Sequence, residues 1–140
     1  MLLNAIAYVV TLLLFVGIDL VWLTWIGGPV YREVLSDILL PSVRVPPSIA
    51  FYLIYPLGLV LFAVLPGVNG GGIAGALWAG ALFGFFTYTT YDLTNFATLR
   101  NWNLAVTLMD IGWGCVLGAV TAAATVMIVG SLGHVLRLDG

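Results

Sequence analysis

Asp19, Asp92 and Asp110 are carboxylates set inside, or at the edge of, stretches otherwise apolar enough to cross a bilayer. Such a group costs about 3 kcal/mol or more at membrane depth unless it faces a bundle interior, a partner or water. Carboxylates in apolar surroundings suit general acid or base work. Three together could alternatively ligate Mg²⁺ for phosphate chemistry. No two of them stand in an Asp-x-x-x-Asp spacing on one helix, and the lone His134 falls at the opposite end of its span, so no metal site is expected. The tetrad Asp-x-x-Trp occurs twice, as Asp19 to Trp22 and Asp110 to Trp113, which puts each indole on the face of its carboxylate. The two tetrads do not read as an inverted repeat, because their helices run antiparallel while both acids fall in one leaflet.

These residues are positioned by a chain of 140 residues that is 62% hydrophobic and 7% charged, with a mean hydropathy of +1.15. Soluble domains carry roughly 25% charged residues, so the composition is that of a membrane protein. Four arginines without a lysine cannot build a phosphate-neutralising surface, which excludes nucleic acid as a partner. The single Cys115 excludes an internal disulfide and a cysteine-rich metal site, and its apolar setting suggests packing. Nothing identifies a cofactor.

A span needs about 20 apolar residues. Four stretches qualify, about 2–26, 48–65, 73–99 and 104–132, so the chain reads as one all-α domain, an integral membrane four-helix bundle. Residues 1–26 lack a basic leader and a small-x-small cleavage site, and read as a retained helix. The second span contains Pro56 and Gly58, and a kink is expected there. Gly67 to Gly72 reads as a turn, and Asn103 as the cap of the fourth span. Between spans one and two, Val30, Tyr31, Val34, Leu35, Ile38 and Leu39 recur at helical spacing opposite Arg32, Glu33, Ser36 and Asp37. This predicts a short amphipathic helix over 30–39, lying in the membrane interface as a lid or a gate. Arg32, Arg44 and Arg100 fall in the first and third loops and only Arg137 opposite, which predicts cytoplasmic loops and both termini outside, across an inner membrane.

Depth ties the acids together. Asp19 lies seven residues before Ile26, Asp92 seven before Leu99, Asp110 seven after Asn103 and Tyr55 seven after Ser48. Seven residues are roughly 10 Å of helix, so four helices bring polar groups to one depth in the leaflet of the first and third loops. On span three, Thr87, Tyr88, Tyr91, Asp92, Asn95 and Thr98 form a single stripe expected to face inward. Ala76, Gly80 and Gly84, with Gly114, Gly118 and Ala122, are small residues four apart, which predicts close packing of spans three and four in the other leaflet. The candidate pocket residues are therefore Asp19, Trp22, Tyr55, Tyr88, Tyr91, Asp92, Asn95, Asp110 and Trp113.

The run from Tyr88 through Tyr91-Asp92-Leu93-Thr94-Asn95 to Leu99, then Trp102 and Asp110-Ile111-Gly112-Trp113-Gly114, resembles the signature of a bacterial four-helix membrane family, domain of unknown function 2177. Asp19-x-x-Trp22 and the stretch from Phe51 to Gly58 are also similar to its pattern. The resemblance covers nearly the whole chain and implies the fold and the importance of these positions. It implies no activity.

Three classes of function are open on these residues. The first is a pocket for a lipid or amphipathic small molecule, with or without catalysis, in which Tyr55 or Tyr91 orients the ligand and Trp22 and Trp113 wall it. The second is purely structural, the acids bonding helices together in this chain or in a larger complex. The third is proton-coupled transport, for which acids in one leaflet make half a path and a homo-oligomer would be needed. The bilayer is the one partner common to all three.

Overall fold

The computed structural model describes residues 1–138, with side chains as far as Val135. Helix α1 spans Leu2–Trp25, α2 Gly27–Val34, α3 Val45–Leu59, α4 Gly72–Thr98 and α5 Leu104–Leu138. Among the described residues, Leu2–Trp25, Val45–Thr98 and Leu104–Val135 are long and apolar enough to cross a membrane. The middle stretch doubles back, since Tyr55 and Thr87 meet in a 2.8 Å hydrogen bond across it, so it supplies two passes. The result is a four-helix bundle with α2 between the first two passes. Large apolar side chains such as Leu13, Phe62, Trp78 and Phe86 point outward, the inverse of a soluble protein and the pattern a lipid solvent favours.

The reversal occurs where glycine is required. Gly70 and Gly72 adopt φ of 131° and 67°, left-handed values that L side chains rarely take. Pro56 lies inside α3 and is buried. It denies the Tyr52 carbonyl its usual amide partner, and the chain passes into wider π hydrogen bonding over Val60–Val64, one turn later. At the start of α5 the Asn103 side chain accepts from the Val106 amide at 2.9 Å, the expected cap.

Helix α2 differs from the sequence reading at both ends. The spacing predicts a helix over 30–39, whereas the helix occupies Gly27–Val34 and the chain turns through Leu35 to Leu39. Pro29 fits inside the first turn, where its missing N–H has no helical partner to lose. Ser36 and Asp37, which favour turns over helix interiors, follow its end. Leu35 is buried, while Arg32, Glu33, Ser36 and Asp37 are exposed as the pattern requires. Asn101 donates a side-chain hydrogen bond to Asp37, tying the third loop to the first. The side chain of Arg137, the arginine expected at the other end, lies outside the described residues.

The two ends of the bundle are built differently. At the end of the termini, Ala7, Ala63, Val64, Ala76, Ala122, Val126 and Val129 form a tight core. There α4 and α5 run backbone to backbone: a Cβ added at Gly80 would collide with the Gly118 carbonyl, and one at Gly84 with that of Gly114. Such contact lets two helices gain dispersion energy that lipid cannot match. Farther along, Phe15, Leu59 and Leu117 are fully buried beneath Tyr52, Tyr55 and Trp113. Beyond that layer the bundle opens. Helix α3 packs on α1 and its π continuation on α4, but α3 itself stands off from α4 at the loop end.

Candidate functional site

The opening is a cavity of about 900 Å³ at the end of the first and third loops. Its walls come from all four passes: Asp19 and Trp22 from α1, Tyr52 and Tyr55 from α3, Thr87 and Tyr88 from α4, Asp110 and Trp113 from α5. Tyr31 of α2 and residues of the following loop, including Arg44, cover the mouth. Phe51 and Tyr91 line the cavity and are also substantially exposed on the outer faces of α3 and α4. The gap between those helices therefore gives the cavity a side facing the surroundings of the bundle.

Two carboxylates line the cavity, and each is held by donors from other helices. Asp19 is 6% exposed and takes a hydrogen bond from the Tyr52 hydroxyl at 2.6 Å and from the Trp113 indole at 3.1 Å. Asp110 accepts from the Tyr31 hydroxyl, which itself accepts from the Trp22 indole at 3.3 Å. Trp22 and Trp113 are stacked, with ring centroids 4.4 Å apart and planes within 5°. The two Asp-x-x-Trp tetrads thus cross over: the indole of α5 serves the acid of α1, and the indole of α1 serves the acid of α5 through Tyr31. Antiparallel helices impose this, because Trp113 lies three residues deeper than Asp110 and meets Asp19, while Trp22 lies three residues shallower than Asp19. Outside the spans, burial and the neighbouring Asp110 push the Tyr31 hydroxyl above the usual phenol range, so it remains a donor.

Asp92 sits behind this arrangement. It is 0% exposed, and neither of its oxygens has a hydrogen-bond donor. Its carboxyl abuts that of Asp110, so the two acids meet side by side within the bundle. Asp92 therefore reaches the cavity through Asp110 and does not line it.

Of the nine residues expected to form the pocket, Asp19, Trp22, Tyr55, Tyr88, Tyr91, Asp110 and Trp113 line the cavity, and Asp92 and Asn95 do not. The inward stripe of α4 is fully buried at Asp92, half-buried at Thr87, Tyr88 and Asn95, and exposed at Tyr91 and Thr98. Tyr91 is 58% exposed and stacks edge-on against Trp102, and Thr98 is exposed with its hydroxyl on the Thr94 carbonyl. The stripe therefore becomes exposed at the last turn of α4, by Thr98. Tyr31 and Tyr52, the two phenols that hold the acids, were not among the expected residues. Tyr52 carried a usable signal, since it lies three residues before Tyr55 on one helix face. Among the described residues no cluster of three or more acids, histidines or cysteines is arranged to hold a metal ion.

Comparison with known families agrees with the sequence pattern and the helical architecture. The family model described as predicted membrane protein (DUF2177) matches residues 4–127. The chain belongs to this family. A search of curated proteins and one of solved structures find no match to it. Family membership adds the membrane environment to the fold, so the exposed apolar belt is the surface that meets lipid.

Proposed function

We propose that this membrane protein binds an amphipathic molecule, a lipid or a lipid-like small molecule, in the cavity at its loop end. The observation that carries the reading is the cavity itself: about 900 Å³ of space with two carboxylates in its lining and aromatic walls. Binding sites of this kind combine a mostly apolar lining with a few placed polar groups. The polar head would meet Asp19, Asp110 and the phenols of Tyr55 and Tyr88, and the apolar part would leave between Phe51 and Tyr91 toward lipid. Tyr31, donating to Asp110 from α2, makes the interfacial helix the cover of the site. Catalysis on the bound molecule would fall to Asp19 or Asp110, the acids that line the cavity.

The proposal extends to topology. Arg32, Arg44 and Arg100 gather at the loop end, which supports a cytoplasmic site and periplasmic termini in a bacterial inner membrane. A purely structural role leaves the cavity without a purpose, because hydrogen-bonded acids can join helices without enclosing space. Transport is the weaker reading for a single chain. At the end of the termini Gly80 and Gly84 of α4 meet the backbone of α5, and among the described residues no acid continues the path.

Tryptophan quenching tests the reading. In a variant carrying Trp25→Phe, Trp78→Phe and Trp102→Phe, the remaining indoles are the stacked pair in the cavity wall. A bromine-labelled alkyl amphiphile should quench them saturably at low mole fraction in micelles. Quenching that rises linearly with mole fraction, as for a tryptophan simply facing lipid, contradicts the proposal.

A further inference from the structure

We infer that the head group this cavity takes is cationic, an alkylammonium in its chemical class, seated between Asp19 and Asp110 against the rings of Tyr88 and the tryptophan pair. The inference rests on the amphiphile reading above and specifies what the site would recognise.

The argument begins with the balance of donors and acceptors. Asp19 and Asp110 present four carboxylate oxygens at the cavity, and three side-chain donors reach them: Tyr52 and Trp113 on Asp19, Tyr31 on Asp110. An ionised carboxylate offers about four lone-pair sites, so most of this capacity is left for a ligand. Asp92 adds to the excess. It is fully buried, its oxygens have no donor, and it is aimed at the Asp110 carboxyl that lines the cavity. No lysine exists in the chain, and the single basic side chain of the lining is Arg44, exposed at the mouth in the loop before α3. The protein therefore lines the cavity with carboxyl acceptors and brings no basic side chain beside them except Arg44 at the mouth. Carboxylates in such a site ionise most readily beside a cation, so a cationic head group is the ligand that gains most from them.

The walls point the same way. Trp22, Trp113, Tyr31, Tyr52, Tyr55 and Tyr88 surround the two acids. Aromatic faces attract ammonium groups, and desolvated cages of such rings are the usual site for quaternary and substituted amines. An anionic head would face carboxylates on two sides. A neutral hydroxyl head would find acceptors but would gain neither the charge-assisted bonds nor the attraction of the aromatic faces.

Binding in neutral maltoside micelles decides the matter. Wild-type protein is titrated with dodecylammonium, dodecanol and dodecyl phosphate, reading tryptophan fluorescence and thermal midpoint. The expected result is saturable binding of dodecylammonium, about tenfold or more tighter than dodecanol, with dodecyl phosphate weaker still. Asp19→Asn and Asp110→Asn should each reduce that preference about tenfold, Asp19→Glu should restore it, and Glu33→Gln on the exposed face of α2 should leave it unchanged. Lysophosphatidylethanolamine distinguishes the source of the amine: affinity equal to dodecylammonium marks a lipid head group, and weaker binding marks a free amine amphiphile. Dodecanol binding as tightly as dodecylammonium overturns the cationic head while leaving the amphiphile pocket standing. No saturable binding of any of these amphiphiles overturns both.

Discussion

The indole N–H of Trp113 points at Asp19, 3.1 Å away on another helix, and not at the acid of its own tetrad. With Trp22 stacked on the same ring, one aromatic pair fixes both carboxylates of the cavity. The arrangement predicts that the two tryptophans are unequal. Trp113→Phe keeps a ring in the stack but removes a donor from a nearly buried acid, which costs about 1–3 kcal/mol. Trp22→Phe removes a longer bond to a phenol that keeps Asp110 as a partner, and should cost less. Thermal midpoints of the two variants in the same detergent check the order.

The seam between α4 and α5 makes a second prediction. Gly80→Ala and Gly84→Ala place a methyl against the opposing backbone and should force the helices apart, at a cost of about 1–3 kcal/mol each. At Gly75 and Gly112 an added Cβ meets nothing within 4 Å, so alanine there should be neutral or stabilising. Thermal unfolding of the four variants separates a packing seam from a general intolerance of alanine.

Tyr31→Phe should loosen the cover without unfolding the bundle. The phenol joins α2 to Asp110, while the buried Leu35 and the contact between Asp37 and Asn101 still hold the first loop to the bundle. Amide hydrogen exchange over 27–34 should quicken, while exchange within α4 and α5 stays as in the wild type.

Asp92 separates polarity from charge. Asp92→Asn retains size and offers Asp110 an N–H donor, so the thermal midpoint should stay within a few degrees of wild type. Asp92→Leu leaves Asp110 without its buried partner and should lower stability by about 1–3 kcal/mol. Equal midpoints for the two variants would show that the contact between the acids does not matter to the fold.

Much of this organisation is legible in the sequence for physical reasons. Lipid demands long apolar helices, so the passes announce themselves, and the small-residue runs at Ala76, Gly80, Gly84 and Gly114, Gly118, Ala122 mark where backbones can touch. The shared depth of Asp19 and Asp110 follows from counting residues along helices. What periodicity cannot provide is rotation near a helix end and reach across the fold. Asn95 and Thr98 continue the stripe of Asp92 in sequence, yet neither lines the cavity, and by Thr98 the stripe is exposed. Tyr31 reads as part of an apolar face, and its bond to Asp110 spans 79 residues of sequence. Tyr52 shares a helix face with Tyr55, but its bond to Asp19 on another helix is invisible to periodicity.

The most direct measurement for the amphiphile site is native mass spectrometry of the protein released from micelles after extraction from its own membrane. The wild type should carry one retained amphiphile per chain. Ser48→Trp, which fills the cavity from the first turn of α3, should lose that mass while keeping its thermal midpoint within a few degrees. A bare wild-type chain under conditions that preserve bound lipid, or an identical retained mass in the filled variant, would contradict the account.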